Sequence, residues 1–170
     1  DISVGARWQV TKQTAAMPPL IVNLNIATPT GRSPYDINPR KDLSTGSGTW
    51  QIFLGTALNK TFDPVVVYGS FGISYALGLS SLDYRTSTGG PVLDEVDDSM
   101  GFGLGLGVGY AMSYKTSLNA SVSYSYALGT TYSYENGNEV DTADASSASL
   151  SVGMGWKMST QRTISINLGM

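Results

Sequence analysis

The chain of 170 residues has no cysteine and no histidine. Without cysteine there is no disulfide, no thiol nucleophile and no cysteine-held metal. Without histidine, Ser-His-Asp catalysis is excluded, and so are most transition-metal centres. Charged residues make up only 14%, well below the ~25% of an ordinary soluble domain. The formal net charge of −3 argues against nucleic acid as a partner. No apolar run approaches the ~18 residues of a membrane-spanning helix. No signal peptide is visible, so the sequence reads as a mature or trimmed chain. No cofactor is expected.

Low charge and a mean hydropathy of −0.03, without long apolar runs, are what strict alternation produces. Gly101 to Gly129 shows it most clearly. Its even positions run Phe102, Leu104, Leu106, Val108, Tyr110, Met112 and on to Val122, Tyr124, Tyr126 and Leu128. Its odd positions are Gly, Ala, Ser and Asn, with one charge, Lys115. A period of two places successive side chains on opposite faces of a strand. A run this long must be a hairpin, turning near Tyr114-Lys115-Thr116. A soluble sandwich would carry Lys, Glu and Thr on its outer face. Here the non-apolar face is small and neutral, while the other is aliphatic in the middle and aromatic near the ends. That is the pattern of a strand crossing a bilayer, apolar toward lipid and small toward a lumen.

The remaining chain repeats the pattern. Alternating stretches are expected at 1–11, 18–31, 49–61, 65–79, 147–159 and 160–170, which with the hairpin make eight strands. Pro29 marks a strand end, where a missing N–H is tolerated. The connections 32–48, 80–100 and 130–146 are long and read as loops; those between them are short. Long and short alternate strictly, which antiparallel strands crossing a membrane require and a soluble sandwich does not. The expected fold is all-β: a transmembrane antiparallel β-barrel, with residues 1–170 a single outer-membrane domain cut at both ends. Eight strands close a barrel only when side chains fill it. The Gly, Ser and Ala of the inner face fill little, so a barrel of ten to twelve strands is expected.

Polar residues assigned to the lumen are Arg7, Gln9, Asn23, Asn25, Gln51, Asn59, Asn119, Lys157 and Asn167. They form no opposed rows of charge such as set ion selectivity in a porin constriction. Lipid-facing positions are Leu104, Leu106, Val108, Val122, Leu150 and Val152. Trp8, Trp50, Tyr75, Tyr110, Tyr124, Tyr126 and Trp156 are expected as interfacial anchors. Phe53 interrupts the polar face, and with Tyr68 it is the only aromatic available to a lumen pocket. The run Asp94-Glu95-Val96-Asp97-Asp98 offers hard oxygen ligands for Ca²⁺ or Mg²⁺. It lacks the spacing and turn glycine of an EF-hand, and a solvated loop is the better expectation.

Two stretches carry a family resemblance. Thr28-Pro29-Thr30-Gly31 leads to Thr45-Gly46-Ser47-Gly48-Thr49-Trp50. Then Lys60-Thr61-Phe62-Asp63-Pro64-Val65-Val66-Val67-Tyr68-Gly69-Ser70 follows. Over residues 20–80 the order resembles the outer-membrane barrel family named for the meta-pathway of phenol degradation, and the related pore that exports functional-amyloid subunits. The resemblance implies a transport protein of the bacterial outer membrane, not an enzyme, in contact with the lipid bilayer and lipopolysaccharide. It implies more strands on both sides and, if the chain is the export pore, a homotrimer of twelve-stranded barrels with a plug or helical segment outside this chain. The neutral wall leans toward export of an unfolded amyloid subunit. Uptake of hydrophobic or aromatic small molecules is the alternative, and a structural or adhesive barrel with no transport is the third. The C-terminal strand with its final aromatic, usual in bacterial outer-membrane barrels, is missing here.

Overall fold

The computed structural model describes residues 1–170 apart from 15, 16, 38–40, 86–89, 160 and 161. The described residues form twelve strands and no helix. In chain order they are β1 (Ile2–Gln9), β2 (Leu20–Thr28), β3 (Gln51–Phe62), β4 (Val65–Ala76), β5 (Tyr84–Arg85), β6 (Val92–Val96), β7 (Ser99–Ala111), β8 (Thr116–Ala127), β9 (Thr131–Tyr134), β10 (Glu139–Asp141), β11 (Ala145–Lys157) and β12 (Thr163–Gly169). Eight of them build one antiparallel sheet in the order β1-β2-β3-β4-β7-β8-β11-β12. Each strand pairs with its neighbour in that order, and β1 and β12 are the two edges.

These eight are the strands the alternation predicts, with shifted limits. The hairpin turn falls at 112–115, one or two residues early, and β7 begins at Ser99 rather than Gly101. Strand β4 stops at Ala76 rather than running to Leu79. The larger correction concerns the connections 80–100 and 130–146, expected as plain loops. They contain β5, β6, β9 and β10, which pair as a second sheet in the order β10-β9-β6-β5. Val92, Leu93 and Val96 of β6 are the only buried hydrophobic side chains among the described residues. The spacing of these three in a short acidic run hides their periodicity, and only tertiary pairing reveals it.

Register fixes the two faces of the large sheet. One paired row reads Arg7–Asn23–Gly55–Gly72–Gly103–Ser125–Ser147. A row three residues away, on the other face, reads Leu20–Leu58–Gly69–Leu106–Val122–Leu150. The first row lies near the C-terminal end of β1 but near the N-terminal end of β11, where the chain has come from a connection at the opposite end of the sheet. Pairing is therefore staggered, and the strands are tilted against the sheet's long axis as in barrels.

Burial runs inside out. Along β7 the glycines are half-buried while the alternate apolar side chains are exposed. Leu106 is 52% exposed and Val152 50%. Among the described residues, no layer covers the apolar face. Thr56, one of the few polar residues on that face, has its hydroxyl turned back to the Phe71 carbonyl at 3.4 Å.

Candidate functional site

The small-residue face gathers what the sequence scatters. Arg7, Gln9, Asn23, Asn25, Gln51, Asn59, Asn119, Lys157 and Asn167 all take register positions on it. Leu104, Leu106, Val108, Val122, Leu150 and Val152 all take positions on the other. The wall is neutral over most of its length because its polar groups are hydroxyls and amides. Three hydroxyl pairs, Ser121–Ser151, Ser123–Ser149 and Ser125–Ser147, cross from β8 to β11 at 2.7 Å each. Cross-strand Ser and Thr pairs of this kind add modestly to sheet pairing.

Two aromatic rings break the flatness of this wall, and glycines make room for both. A Cβ on Gly55 would stand 2.8 Å from the Phe53 ring and one on Gly72 2.9 Å. A Cβ on Gly107 would stand 2.2 Å from the Tyr68 ring. The rings therefore lie down over the sheet instead of projecting from it. The Phe53 ring forms part of a hollow of about 540 Å³, with Asn23, Gly72, Ser74 and Gly103 among its lining residues. The hollow lies mainly on the small-residue face, across β3, β4, β7 and β8. At the other end, Asn119 and Asn167 close over Gly153, where a Cβ would stand 2.1 Å from the Asn167 Oδ1. Lys157 Nζ sits 5.3 Å from the centre of the Tyr114 ring in the β7–β8 turn, within reach of a cation–π contact.

The expected interfacial aromatics all lie on the apolar face. Tyr75 and Tyr126 stand toward the long connections, where Trp50 immediately precedes β3 and accepts from the Leu77 N–H at 2.9 Å, and Trp8, Tyr110 and Trp156 stand toward the short ones. Tyr124 lies one row further in and packs with Phe102, whose ring also packs with Tyr126 at 5.4 Å.

Two of these tyrosines also bind carboxylates. The Asp98 carboxylate accepts hydrogen bonds from the Tyr75 hydroxyl and, at 2.5 Å, from the Gly78 N–H. The Asp144 carboxylate accepts from the Tyr126 hydroxyl and, at 2.8 Å, from the Gly129 N–H. These bonds, the tyrosine's first and the glycine's second, hold each aspartate below the usual carboxylate range. The two clasps are the same device. Tyr-Ala-Leu-Gly occurs at 75–78 and again at 126–129. Each tyrosine pairs with the residue two beyond its aspartate, Met100 in one case and Ser146 in the other. That repeated tetrapeptide was the available signal in the sequence. The first long connection has its own fastening, in which Asp1 accepts from the Gly31 N–H at 3.0 Å and the Ser47 N–H at 2.8 Å. Tyr35 of that connection meets Tyr84 of β5 edge-on at 5.7 Å. All three long connections thus join one extra-sheet cap.

The acidic run does not assemble as a cation site. Among the described residues no group of three or more acidic side chains converges on a common point. Asp98 is committed to its clasp, and Asp94 uses its carbonyl to accept from the Leu82 N–H.

No family model matches the sequence. Among solved structures, the chain is similar to the COG4313 outer membrane channel from Pseudomonas putida F1, at a TM-score of 0.67 and 16% identity. The match covers 98% of this chain and 57% of that one, so the chain spans little more than half the length of that channel. What the two share is the fold: the antiparallel sheet described above is laid out as in an outer membrane channel.

Proposed function

We propose that this chain is part of the wall of an outer-membrane β-barrel channel that admits small hydrophobic or aromatic molecules. The observation that carries the reading is the pairing of an uncovered apolar face with a small-residue face that holds a ring-lined hollow. An exposed apolar surface of this extent requires a cover, and hydrocarbon covers it without leaving backbone groups unpaired along the paired strands. The aromatic bands at both ends suit the two membrane interfaces. The hollow of about 540 Å³ falls within the ~300–1,000 Å³ of small-molecule sites. Its one ring over a glycine floor suits a flat apolar guest better than the sequence alone suggests.

A second reading keeps one observation in its favour. The three serine pairs give a stretch of wall whose hydroxyls bond to each other, a surface to which an unfolded polypeptide would adhere little. Export of an amyloid subunit would use that property and would have no use for the Phe53 hollow.

The test is planar-bilayer recording on the full-length protein together with toluene uptake by proteoliposomes containing it. Stepwise conductance with toluene uptake above protein-free vesicles is expected. Conductance without such uptake favours the polypeptide reading, and absence of both overturns the channel. The membrane placement has its own check, made simple by the absence of cysteine. With a membrane-impermeant thiol reagent on intact membranes, Asn119→Cys is expected to label and Leu106→Cys to resist. The reverse result would exchange the two faces.

A further inference from the structure

Charge is sorted by the two ends of the large sheet. Because the strands pair in chain order, the connections after β2, β4 and β8 meet at one end and those after β1, β3, β7 and β11 at the other. Counting by position along the chain, the long-connection end holds twelve of the thirteen acids and four bases, a net of −8. The short-turn end holds Arg7, Lys12, Lys60, Lys115, Lys157 and Arg162 against Asp63 alone, a net of +5. Together these give the −3 of the whole chain. Between the ends, the eight strands of the large sheet contain no acidic residue at all. Glu95, Asp97, Glu135, Glu139 and Asp141 are solvent-exposed.

We infer that the channel is electrically polarised along its axis, with a cation-gathering mouth at the long connections and an anion-gathering mouth at the short turns. This rests on the channel reading and adds the class of solute: neutral and cationic molecules enter at the long-connection mouth, and anionic ones are turned away there. A mouth lined by one sign of charge concentrates ions of the other sign. Two mouths of opposite sign make the pore a rectifier. With the long-connection side positive, cations enter through the mouth that concentrates them and anions through theirs, so carriers accumulate and current is high. With the polarity reversed, both species leave faster than they are supplied, and current falls.

The experiment is single-channel recording of the full-length protein in KCl, orientation fixed by one biotin on Leu43→Cys and streptavidin added to one side. Leu43 is 86% exposed in the first long connection. At about 0.1 M salt, where the screening length is ~10 Å, the current with the long-connection side positive is expected to exceed the reverse about twofold or more. The ratio should approach one at molar salt. Converting Glu95, Asp97, Glu135 and Glu139 to their amides should lower the ratio, and Phe53→Ala should leave its direction unchanged. A conducting channel whose current is symmetric or rectifies the other way at low salt overturns this inference and leaves the channel reading standing. No conductance at any salt removes the channel reading, and this inference with it.

Discussion

An alanine at position 53 is expected to reduce toluene uptake about tenfold while raising the ion conductance of the same pore. The two effects have one cause. The Phe53 ring lies over Gly55 and Gly72 on the small-residue face, where in the proposed channel it would both narrow the passage and offer a flat apolar surface. An aromatic contact of this kind contributes about 0.5–1.5 kcal/mol beyond burial, and ~1.4 kcal/mol is a factor of ten in occupancy. Because the ring is 45% exposed, its removal opens no core cavity, and the sheet should remain intact by heat-shift on gels. Phe53→Leu keeps the bulk without the ring and should restore the conductance but only part of the uptake. Uptake unchanged by Phe53→Ala would take Phe53 out of the solute's path and move the weight to polypeptide export.

The second large effect concerns the clasps. The double variant Asp98→Asn and Asp144→Asn should loosen the cap, with cleavage by trypsin after Arg85 and by a Glu-specific protease after Glu135 several times faster than in the parent. Each aspartate fastens the start of a long connection to its end, through one tyrosine hydroxyl and one glycine N–H. An amide in its place accepts more weakly, since hydrogen bonds to an ionised acceptor are the stronger kind. Tyr75→Phe with Tyr126→Phe removes the same contacts from the other side and should give the same cleavage pattern. The pH dependence has a definite sign. Both carboxyls are held below the usual carboxylate range by bonds made only in the folded cap, so their contribution is fully present above about pH 4. It is lost as the pH falls further, through the lowered folded values. Protection of Glu135 that persists in the double variant would show that the clasps do not hold the cap.

The large sheet was legible in the sequence because a period of two survives wherever one face differs in kind from the other. In β7, Gly alternates with Leu and Val for the length of the strand, and no other regular structure sorts residues so. Loop parity then ordered the strands without any structure. The cap was not legible in this way. Strand β6 spans only Val92–Val96, and its buried residues are separated by Asp94 and Glu95, so the stretch reads as a solvated acidic loop. Its partner β9 lies beyond two strands of the large sheet, β7 and β8. The places of Tyr75 and Tyr126 at strand ends on the apolar face were legible, since alternation alone fixes them. Their hydroxyl partners were not, because each aspartate is distant in sequence and is brought close by pairing of the next strand. The repeated Tyr-Ala-Leu-Gly was open to reading. The hollow also depended on detail the pattern omits, since alternation marks Phe53 only as an interruption and not that its ring lies over the paired glycines Gly55 and Gly72.

The strictly sequential pairing of the large sheet has a consequence for how the chain is put together. Hairpins β3–β4 and β7–β8 close over two and four residues, and short closures cost the least chain entropy. Each can form as a local unit before any distant contact is made. Strands β2 and β11 can then add to hairpins already standing, by way of their longer connections. Every step joins neighbours in the chain, so no strand has to be threaded between two that are already paired. Folding rate falls as contacts become more distant in sequence, and this order keeps them as near as an antiparallel sheet allows. The cap is the part that must wait, because β6 and β9 meet only after β7 and β8 have brought their connections together. Assembly thus runs from the wall to the cap, and the clasps are closed last.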